Sequence, residues 1–406
     1  MTHNRLRFAA ATIALAVLLS LSASKAQSGP AANVTDDRLI VHEWGTFTSI
    51  AGKDGAAVRW RPLNGSSDLP GFVYDLSGLR EGGGLRHGLR NTKLSLEALV
   101  RMETPVLYFY AAHETNVSVK VDFPKGTITE WYPQARSVYN GGFGGAIDWG
   151  RFAVLPGAEV SFPLEEKESH YYPARETDAA PIRVCSEKER QHEKFLFYRG
   201  VGTFDPPLTA RLIGDKVVIK SLGGENVSQF ILFENRDGKI GSRIHDLFNG
   251  EIAVERPALD QTIESLVRDL EIILVANGLY EKEARAMIKT WRDSWFEAGT
   301  RIFYIVPRKL TDSILPIEIE PTPAELTRVL VGRMEVITPE VERTITQQVA
   351  KLGDSSAEIR NEAATIIRKH GRLSEPVLRS IRDKISDAKL RSRIDALISL
   401  ARVATD

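Results

Sequence analysis

Asn116-Val-Ser-Val-Lys-Val-Asp-Phe123 is the stretch of sequence that most clearly indicates the fold. Its odd-numbered positions carry valine or phenylalanine, and its even-numbered positions carry asparagine, serine, lysine or aspartate. Because successive side chains of a β-strand point to opposite faces, this alternation predicts a strand with one face on a core and the other in water. Pro124-Lys125-Gly126 predicts a turn, and we expect residues 127–132 to be the hairpin partner of the strand.

The same pattern of strands and turns is predicted from about residue 39 to residue 235. Short runs rich in Val, Ile, Phe and Tyr alternate with clusters of Gly, Pro, Asn and Asp, which is typical of strands and turns. Two glycine-rich loops, 82–88 and 141–150, interrupt the pattern. We predict a β-rich body over residues 27–256, with the architecture of a β-sandwich or a jelly roll.

The hydrophobic period changes from two to 3.6 after Pro257. Apolar residues over 263–274 fall on one helical face, and Gly278 marks the end of that helix. A second helix is expected from about residue 281 to residue 296. The two helices should form a hairpin.

The chain beyond the hairpin returns to the body. Residues 301–306 predict a buried strand and residues 316–323 an extended connector. Thr322-Pro323 predicts a helix start, because threonine caps helices and proline suits the first turn. Together with the hairpin, these elements define a region over 257–337.

The tail, residues 338–406, carries three or four short amphipathic helices that must stack to bury their apolar stripes. Ser355-x-x-Glu358 is a capping box, and Ser374-Glu375-Pro376 opens a later helix. Residues 352–373 resemble one HEAT-like repeat, a unit that usually mediates protein contacts. The whole chain is therefore expected to be an α+β protein with a helical tail, which either contacts a protein partner or covers the hairpin.

The N-terminus has the pattern of an export signal. Arg5 and Arg7 form a positive head, an apolar run follows over 8–21, and Ser24-Lys25-Ala26 supplies small residues before a cleavage site. At about 1.5 Å per helical residue, that run is too short to cross a hydrocarbon core of about 30 Å. We expect a signal peptide over residues 1–26, cleavage near Ala26, a periplasmic or secreted protein, and no membrane insertion after cleavage.

Composition and charge argue against some classes of partner. The chain is 43% hydrophobic and 26% charged, which suits an ordinary globular protein. Removal of residues 1–26 takes away Arg5, Arg7 and Lys25 from 53 basic residues and nothing from the 53 acidic residues. The remaining chain is slightly acidic and has no basic stripe, so we expect no binding to nucleic acid.

Cys185 is the only cysteine, so disulfides cannot hold this chain together. Arg183 and Lys188 flank it and would favour a reactive thiolate. A small buried hydrophobic side chain is the expected role, and a catalytic thiol is the alternative.

Several segments of the body resemble a group of exported bacterial proteins that have no assigned activity. The resemblance rests on Val41-His-Glu-Trp-Gly-Thr-Phe-Thr-Ser49, Thr129-Glu-Trp-Tyr-Pro133, Lys194-Phe-Leu-Phe-Tyr-Arg-Gly200 and the stretch 291–332. It spans most of the chain after residue 26. It implies a shared fold and no particular activity.

His42-Glu43 is the first candidate for chemistry, because it places a base, an acid and a tryptophan side by side. Both residues are candidate ligands of a divalent metal and candidate catalytic residues. In a regular strand they would project to opposite faces and could not share one metal. Only a bulge, for which Gly45 is the candidate, would bring them together. The structural alternative is a hydrogen-bonded histidine near an edge or closing strand.

His87 is the second candidate for a metal or a catalytic role. It lies in Glu81-Gly-Gly-Gly-Leu-Arg-His-Gly88, where Arg86 is a candidate anion ligand. The structural alternative is a solvated loop. Neither glycine-rich loop matches the Walker or the Gly-x-Gly-x-x-Gly pattern, so nucleotide binding is not expected.

The second glycine-rich loop and the segment before it carry aromatic residues. Trp131, Tyr132, Asp148 and Trp149 are candidate ligands for a carbohydrate, with Glu130 as a further carboxylate. Aromatic residues in a sandwich more often fill its core, which is the structural alternative.

Two functions from different classes remain open. The first is an exported, non-catalytic protein whose β-rich body binds a ligand or partner and whose tail contacts a protein. The second is a metal-dependent hydrolase acting on envelope or extracellular material through His42, Glu43 and His87. Familiar motifs of zinc proteases and serine hydrolases are missing from the sequence.

Overall fold

The computed structural model describes residues 38–63, 68–76, 93, 95–141, 144–185, 189–222, 227–246 and 250–400. The predicted signal peptide and the loop with Arg86 and His87 lie outside the described residues. No helix of the described part combines the length and the apolar character needed to span a bilayer.

A large mixed sheet forms the centre of the fold. Its described strands lie in the spatial order β14 (Lys239–Asp246), β13 (Gln229–Arg236), β16 (Gly299–Ile305), β18 (Glu325–Val336), β1 (Ile40–Ala51), β3 (Val100–Tyr110), β10 (Leu196–Gly202), β5 (Gly126–Tyr132) and β2 (Tyr74–Asp75). β1 and β18 pair in parallel, whereas β1 and β3 pair antiparallel.

β1 lies in the middle of the large sheet, between β18 and β3. The prediction of an edge or closing strand at this point is therefore wrong. The parallel partner of β1 comes from the far end of the body, where Glu325 is paired with Ile40. All of β1 after Ile40 is buried, as expected for a strand covered on both faces.

Two smaller sheets complete the β-rich body. One contains β17 (Ile317–Glu320), β4 (Thr115–Phe123), β7 (Gly144–Val154), β8 (Ile182–Cys185) and β9 (Arg190–Glu193) in this order, with β6 (Ser137–Gly141) paired to β7. The other contains β11 (Leu208–Ile213), β12 (Lys216–Ser221) and β15 (Glu251–Glu255).

The alternation of β4 is confirmed, because its valines and Phe123 are buried and the positions between them are partly exposed. The predicted hairpin is wrong. β5 pairs with β10 and β2 in the large sheet, whereas β4 pairs with β7 and β17. The turn after Phe123 carries the chain from one sheet to another, and Phe123 and Ile128 both enter the core between the sheets.

Two helices cover the face of the large sheet that lies opposite the core between the sheets. These are α1 (Ile263–Ala276) and α2 (Glu281–Trp295), which form the predicted hairpin. The hydroxyl of Thr262 accepts a hydrogen bond from the amide of Ser265 and caps α1. Trp291 and Trp295 of α2 are buried against the sheet in a second core. We call this side of the sheet the helix-covered face.

The segment after the hairpin differs partly from expectation. β16 is the predicted return strand, and a short helix, α3 (Arg308–Ile314), follows it. The extended connector contains β17. The helix predicted to start at Thr322-Pro323 is wrong, because β18 begins at Glu325. β18 is buried between β16 and β1, and this pairing outweighs the local capping signal.

The tail consists of stacked helices, as predicted. They are α4 (Pro339–Lys351), α5 (Ala357–Arg368), α6 (Ser374–Arg382) and α7 (Ala388–Leu400). Ser356, one residue later than expected, caps α5. Leu373 packs against Ile50 and Trp60, so the tail is docked on the body. The predicted α+β class, with a β-rich body followed by helices, is confirmed.

Cys185 lies exposed at the end of β8. The expectation of a small buried side chain is wrong. Successive side chains of β8 point to opposite faces, and Cys185 falls on the exposed face while Val184 is buried.

Candidate functional site

His42 lies on the helix-covered face and is fully buried. Its Nδ1 lies 2.8 Å from Oε2 of Glu283, the third residue of α2. Glu283 also accepts hydrogen bonds from the hydroxyl of Tyr110 at 2.7 Å and from the amide of Tyr280 at 2.8 Å. The ring of Tyr280 covers the imidazole, with ring centroids 4.5 Å apart. We call His42, Glu283, Tyr110 and Tyr280 the histidine network.

Glu43 projects to the opposite face of the sheet. It accepts hydrogen bonds from the hydroxyl of Tyr198 at 2.5 Å and from Nε of Arg328 at 2.5 Å. Arg328 also donates to Asp312 at 2.8 Å. Burial opposes the charged form of Arg328, but the charge of Glu43 raises the pKa of Arg328 above its ordinary value.

The structure therefore separates the two residues of the His42-Glu43 pair. A bulge does occur at Gly45, where the register of β1 on β3 shifts, but it follows both residues and leaves them on opposite faces. His87 lies outside the described residues. Among the residues that the structure describes, no group of three His, Cys, Asp or Glu side chains could hold a metal ion.

The aromatic candidates have different environments. Tyr132 and Trp149 are buried, in the helix-side core and in the core between the sheets, respectively. Trp131 is partly exposed and stacks on Tyr74, with ring centroids 6.2 Å apart. Asp148 forms an ion pair with Arg136 and accepts a hydrogen bond from the amide of Gly150. These four candidates do not converge on one surface.

A row of charged and polar side chains crosses the helix-covered face under the last turn of α2. We call it the charged belt; it contains Arg199 (β10), Arg101 and Glu103 (β3), Thr48 (β1), Arg333 and Glu335 (β18) and Arg301 (β16). All except Arg101 are at most 2% exposed. Charged groups are costly to bury even when paired, and perturbed ionisable groups are concentrated at functional sites. The charged belt is the candidate functional site.

Irregularities in the strands set the direction of some side chains of the charged belt. β1 on β3, β10 on β3 and β10 on β5 all shift register at this level of the sheet. Thr104, next to Glu103, has a φ of 51°. A threonine rarely adopts this conformation, and such strain is concentrated at functional sites. The hydroxyl of Thr104 faces Arg199, whose Nη2 lies 3.4 Å away.

Arg199 and Asp68 form a paired fork at one end of the belt. Nη1 and Nη2 of Arg199 donate to the two oxygens of Asp68 at 2.7 and 2.8 Å. Burial alone would raise the pKa of Asp68, but the charge and hydrogen bonds of Arg199 hold it well below its ordinary value. Asp68 is therefore ionised. Glu130, paired in register with Arg199 and 2.6 Å from Nζ of Lys93, adds a second carboxylate here.

His170 extends this fork towards solvent. Its Nδ1 lies 3.0 Å from Asp68, and its Nε2 lies 2.9 Å from Asp293 on α2. The hydrogen bond to Asp68 raises the pKa of His170 against the effect of burial, and Asp293 adds to the rise. An imidazole oriented by an ionised carboxylate can bind a polar ligand or transfer a proton.

The segment that carries His170 is firmly anchored. Arg175 donates to both oxygens of Glu193, at 2.9 and 2.7 Å, and Tyr171 donates to the same carboxylate at 2.9 Å. Ser169 donates to the carbonyl of Asp68 at 2.6 Å. His170 is thus held in position from both sides.

His170 and Asp68 line a cleft of about 890 Å³ beside α2. The other lining residues are Glu168, Ser169, Tyr172, Pro173, Glu176, Ile263, Lys289, Thr290, Arg292, Asp293 and Phe296. Opposite charges are paired within this lining, as in the contact of 2.6 Å between Lys289 and Glu176. The cleft combines hydrogen-bonding groups of both kinds with apolar ring surface, as small-molecule sites do.

The other end of the belt is dominated by arginines. Glu335 lies 2.5 Å from Arg333 and 3.1 Å from Arg301. Burial alone would raise the pKa of Glu335, but these two guanidinium groups lower it to about 2. Arg301 also donates to the carbonyls of Trp295 and Glu297, at 2.5 and 2.9 Å, and so satisfies the end of α2.

Sequence reasoning did not identify the belt. Its residues come from five strands, and no local pattern in the sequence connects one strand with the next. The one signal present was a charged residue inside an apolar run, as at Arg199 in Phe-Leu-Phe-Tyr-Arg-Gly and at Arg333 and Glu335 in the last body strand.

No protein-family model matches this chain, and a search of curated proteins finds no significant match.

Proposed function

We propose that this protein is an exported, non-catalytic binding protein whose β-rich body takes up a carbohydrate in the cleft at His170. The observation that carries the proposal is the cleft itself, with an anchored imidazole and an ionised aspartate in its lining. The export part rests on Arg5, Arg7, the apolar run after them and the small residues up to Ala26.

The chemistry of the lining favours a hydroxyl-rich, uncharged ligand. Sugar hydroxyls donate to carboxylates such as Asp293 and accept from a cation such as Lys289, so one ligand can use groups of both signs. Because the lining contains both acids and bases, a strongly charged ligand would meet repulsion from part of it. Tyr172 and Phe296 offer apolar surface to the C–H faces of a sugar ring.

The helical tail remains a proposed protein-contact element. Its described contacts to the body include Leu373, Glu375, which accepts a hydrogen bond from the amide of Arg61 at 3.2 Å, and Arg379, which lies 2.8 Å from Glu97. The body therefore determines how the tail is presented.

Isothermal titration calorimetry tests the carbohydrate proposal. The purified chain is titrated with chito-, cello- and malto-oligosaccharides, and binding of at least one class is expected. Asp293→Asn should weaken that binding about tenfold, because a hydrogen bond to a charged group is lost.

Asp383→Asn in the tail is the matched control, since both aspartates are 71% exposed and only Asp293 lines the cleft. It should bind as the unmodified chain does. Absence of heat with all three classes at millimolar concentration would contradict the proposal, as would an equal effect of the two substitutions.

A further inference from the structure

A second cavity, of about 660 Å³, opens on the arginine-rich end of the charged belt. It lies between the body and the tail. The body contributes residues 235–237 and 297–301, and the tail contributes residues 369–373. This cavity is separate from the cleft at His170, and the inference below does not rest on the proposed carbohydrate binding.

Three guanidinium groups share two carboxylates at and beneath the floor of this cavity; Arg301, Arg372 and the carboxylates line it, and Arg333 lies behind them. Arg301 and Arg333 both contact Glu335. Arg333 and Arg372 both contact Glu297, at 2.7 and 3.2 Å. Arg301 and Arg333 are at most 1% exposed, so water compensates little of their charge. The floor therefore carries one positive charge more than its carboxylates balance.

Neighbouring groups do not remove this surplus. Arg101 and Glu103 are paired at 3.3 Å and add no net charge. At the rim the cations are Arg236, Arg256 and Lys369, and the carboxylates facing them are Glu234, Asp237 and Glu340. The rim is balanced, so the excess stays at the floor.

The lowered pKa values of two of the arginines agree with this surplus of positive charge. Burial lowers the pKa of Arg301 to about 10, and the charges of Arg333 and Arg372 contribute to the decrease. Burial and the charge of Arg333 also lower the pKa of Arg372. Nη1 of Arg372 is buried and finds no hydrogen-bond acceptor among the described residues. A positively charged site with an unpaired hydrogen-bond donor favours the binding of a negatively charged ligand.

We propose that this cavity binds the oxyanion group of an anionic ligand, phosphate or carboxylate, through the unpaired Nη1 of Arg372, with the charge of the buried Arg301 adding to the attraction. Guanidinium groups present paired donors that match both kinds of oxyanion. Arg301 belongs to the body and Arg372 to the tail, so a bound oxyanion balances a positive charge that both regions supply. Lys369, exposed at the rim, adds a further cation on the tail side.

Thermal unfolding with simple anions tests the site. The melting temperature of the full chain is measured in sodium phosphate, in sodium succinate and in sodium chloride at equal ionic strength and pH. Phosphate or succinate should raise it above the value in chloride, because a ligand that binds only the folded state stabilises that state. The anion with the larger rise identifies the oxyanion that the site prefers.

Substitutions inside and outside the cavity test whether the anion raises the melting temperature by binding there. Arg372→Gln should weaken binding of the effective anion about tenfold, measured as the anion concentration that gives half of the rise. Lys369→Gln should weaken it by a smaller factor and keeps the proposal testable if Arg372→Gln does not fold. Lys384→Gln is the matched control, an exposed lysine of the tail outside the cavity.

The proposal is wrong if neither anion exceeds chloride with the unmodified chain. It is equally wrong if the anion effect is the same in Lys369→Gln and in Lys384→Gln. Neither result bears on oligosaccharide binding at His170.

Discussion

The two ends of the helix-covered face both bury charged groups, but in different ways. At one end, the carboxylate of Glu283 receives hydrogen bonds from Tyr110 and Tyr280 and contacts His42. At the other end, Arg372 has a buried nitrogen without an acceptor in the described part of the chain, and two cavities flank the belt. Nε2 of His42 is likewise buried without a hydrogen-bond partner in the described part of the chain, but the histidine network borders neither cavity. A buried network that borders no cavity serves the fold, whereas one that opens on a cavity is available to a ligand.

The histidine network and the charged belt also differ in the energetic cost of removing one charge. The histidine network surrounds one carboxylate with neutral donors and an imidazole, so removal of its charge leaves mostly ordinary polar groups. The belt opposes cations and anions in a region that water barely reaches, so removal of one charge leaves another uncompensated. The difference predicts which substitutions should be most damaging.

Glu335→Gln should have the largest effect on stability. It leaves Arg301 and Arg333 buried beside a neutral amide, and the free energy of unfolding should fall by about 3–5 kcal/mol. Urea unfolding followed by tryptophan fluorescence measures the loss. Glu255→Gln, an exposed partner of Lys216, is the control and should cost at most about 1 kcal/mol. A loss for Glu335→Gln as small as for the control would mean that the belt is hydrated.

Glu283→Gln should have an intermediate effect. The amide keeps one acceptor for Tyr110, Tyr280 or His42 and presents a donor to the others, so we expect a loss of about 1–3 kcal/mol. The same urea experiment applies. If this loss exceeded that of Glu335→Gln, the distinction between the two ends would be incorrect.

His170 should give the smallest effect, and one that depends on pH. Its raised pKa means that the folded state binds the proton more tightly than the unfolded state. The resulting stabilisation is complete below the ordinary value of 6.5 and is lost as pH rises through the raised value. The groups that face His170 are Asp68, Asp293 and the ring of Trp291.

The measurement compares urea midpoints at pH 6 and pH 8.5 for the unmodified chain and for His170→Gln. The variant should lose about 1 kcal/mol or less at pH 6, and less still at pH 8.5. Histidines elsewhere titrate in both proteins, so the difference between the proteins isolates His170. A larger loss at pH 8.5 would contradict the assignment.

Local patterns in the sequence predicted the elements well. The alternation in β4 and the 3.6 period of the hairpin depend on neighbours in the chain, and the structure has both. The cap of α5 lies one residue from its expected position. Pairing between distant segments was not predictable in this way. The turn after Phe123 indicated a hairpin, but the strands on either side of it belong to different sheets.

The candidate functional site was not predictable for the same reason, because it depends on contacts between distant segments. His42-Glu43 attracted attention because its residues are adjacent in sequence, yet a strand places them on opposite faces. Asp68, His170 and Arg199 come from three separate segments, and their proximity depends on the complete sheet. Glu130, noted as a carboxylate of interest, does lie in register with Arg199, but nothing local to it indicated an arginine partner.

The parallel pairing of β1 with β18 affects the order in which this protein can be made. Ribosomes synthesise β1 first, and 285 residues separate Glu43 from Arg328, the partner that neutralises it. Until β18 has been made, β1 lacks one neighbour and Glu43 lacks its counter-ion, so the centre of the body cannot close during most of synthesis. This delay is compatible with the proposed export, because a chain whose central sheet has not closed can still be threaded through a translocation channel.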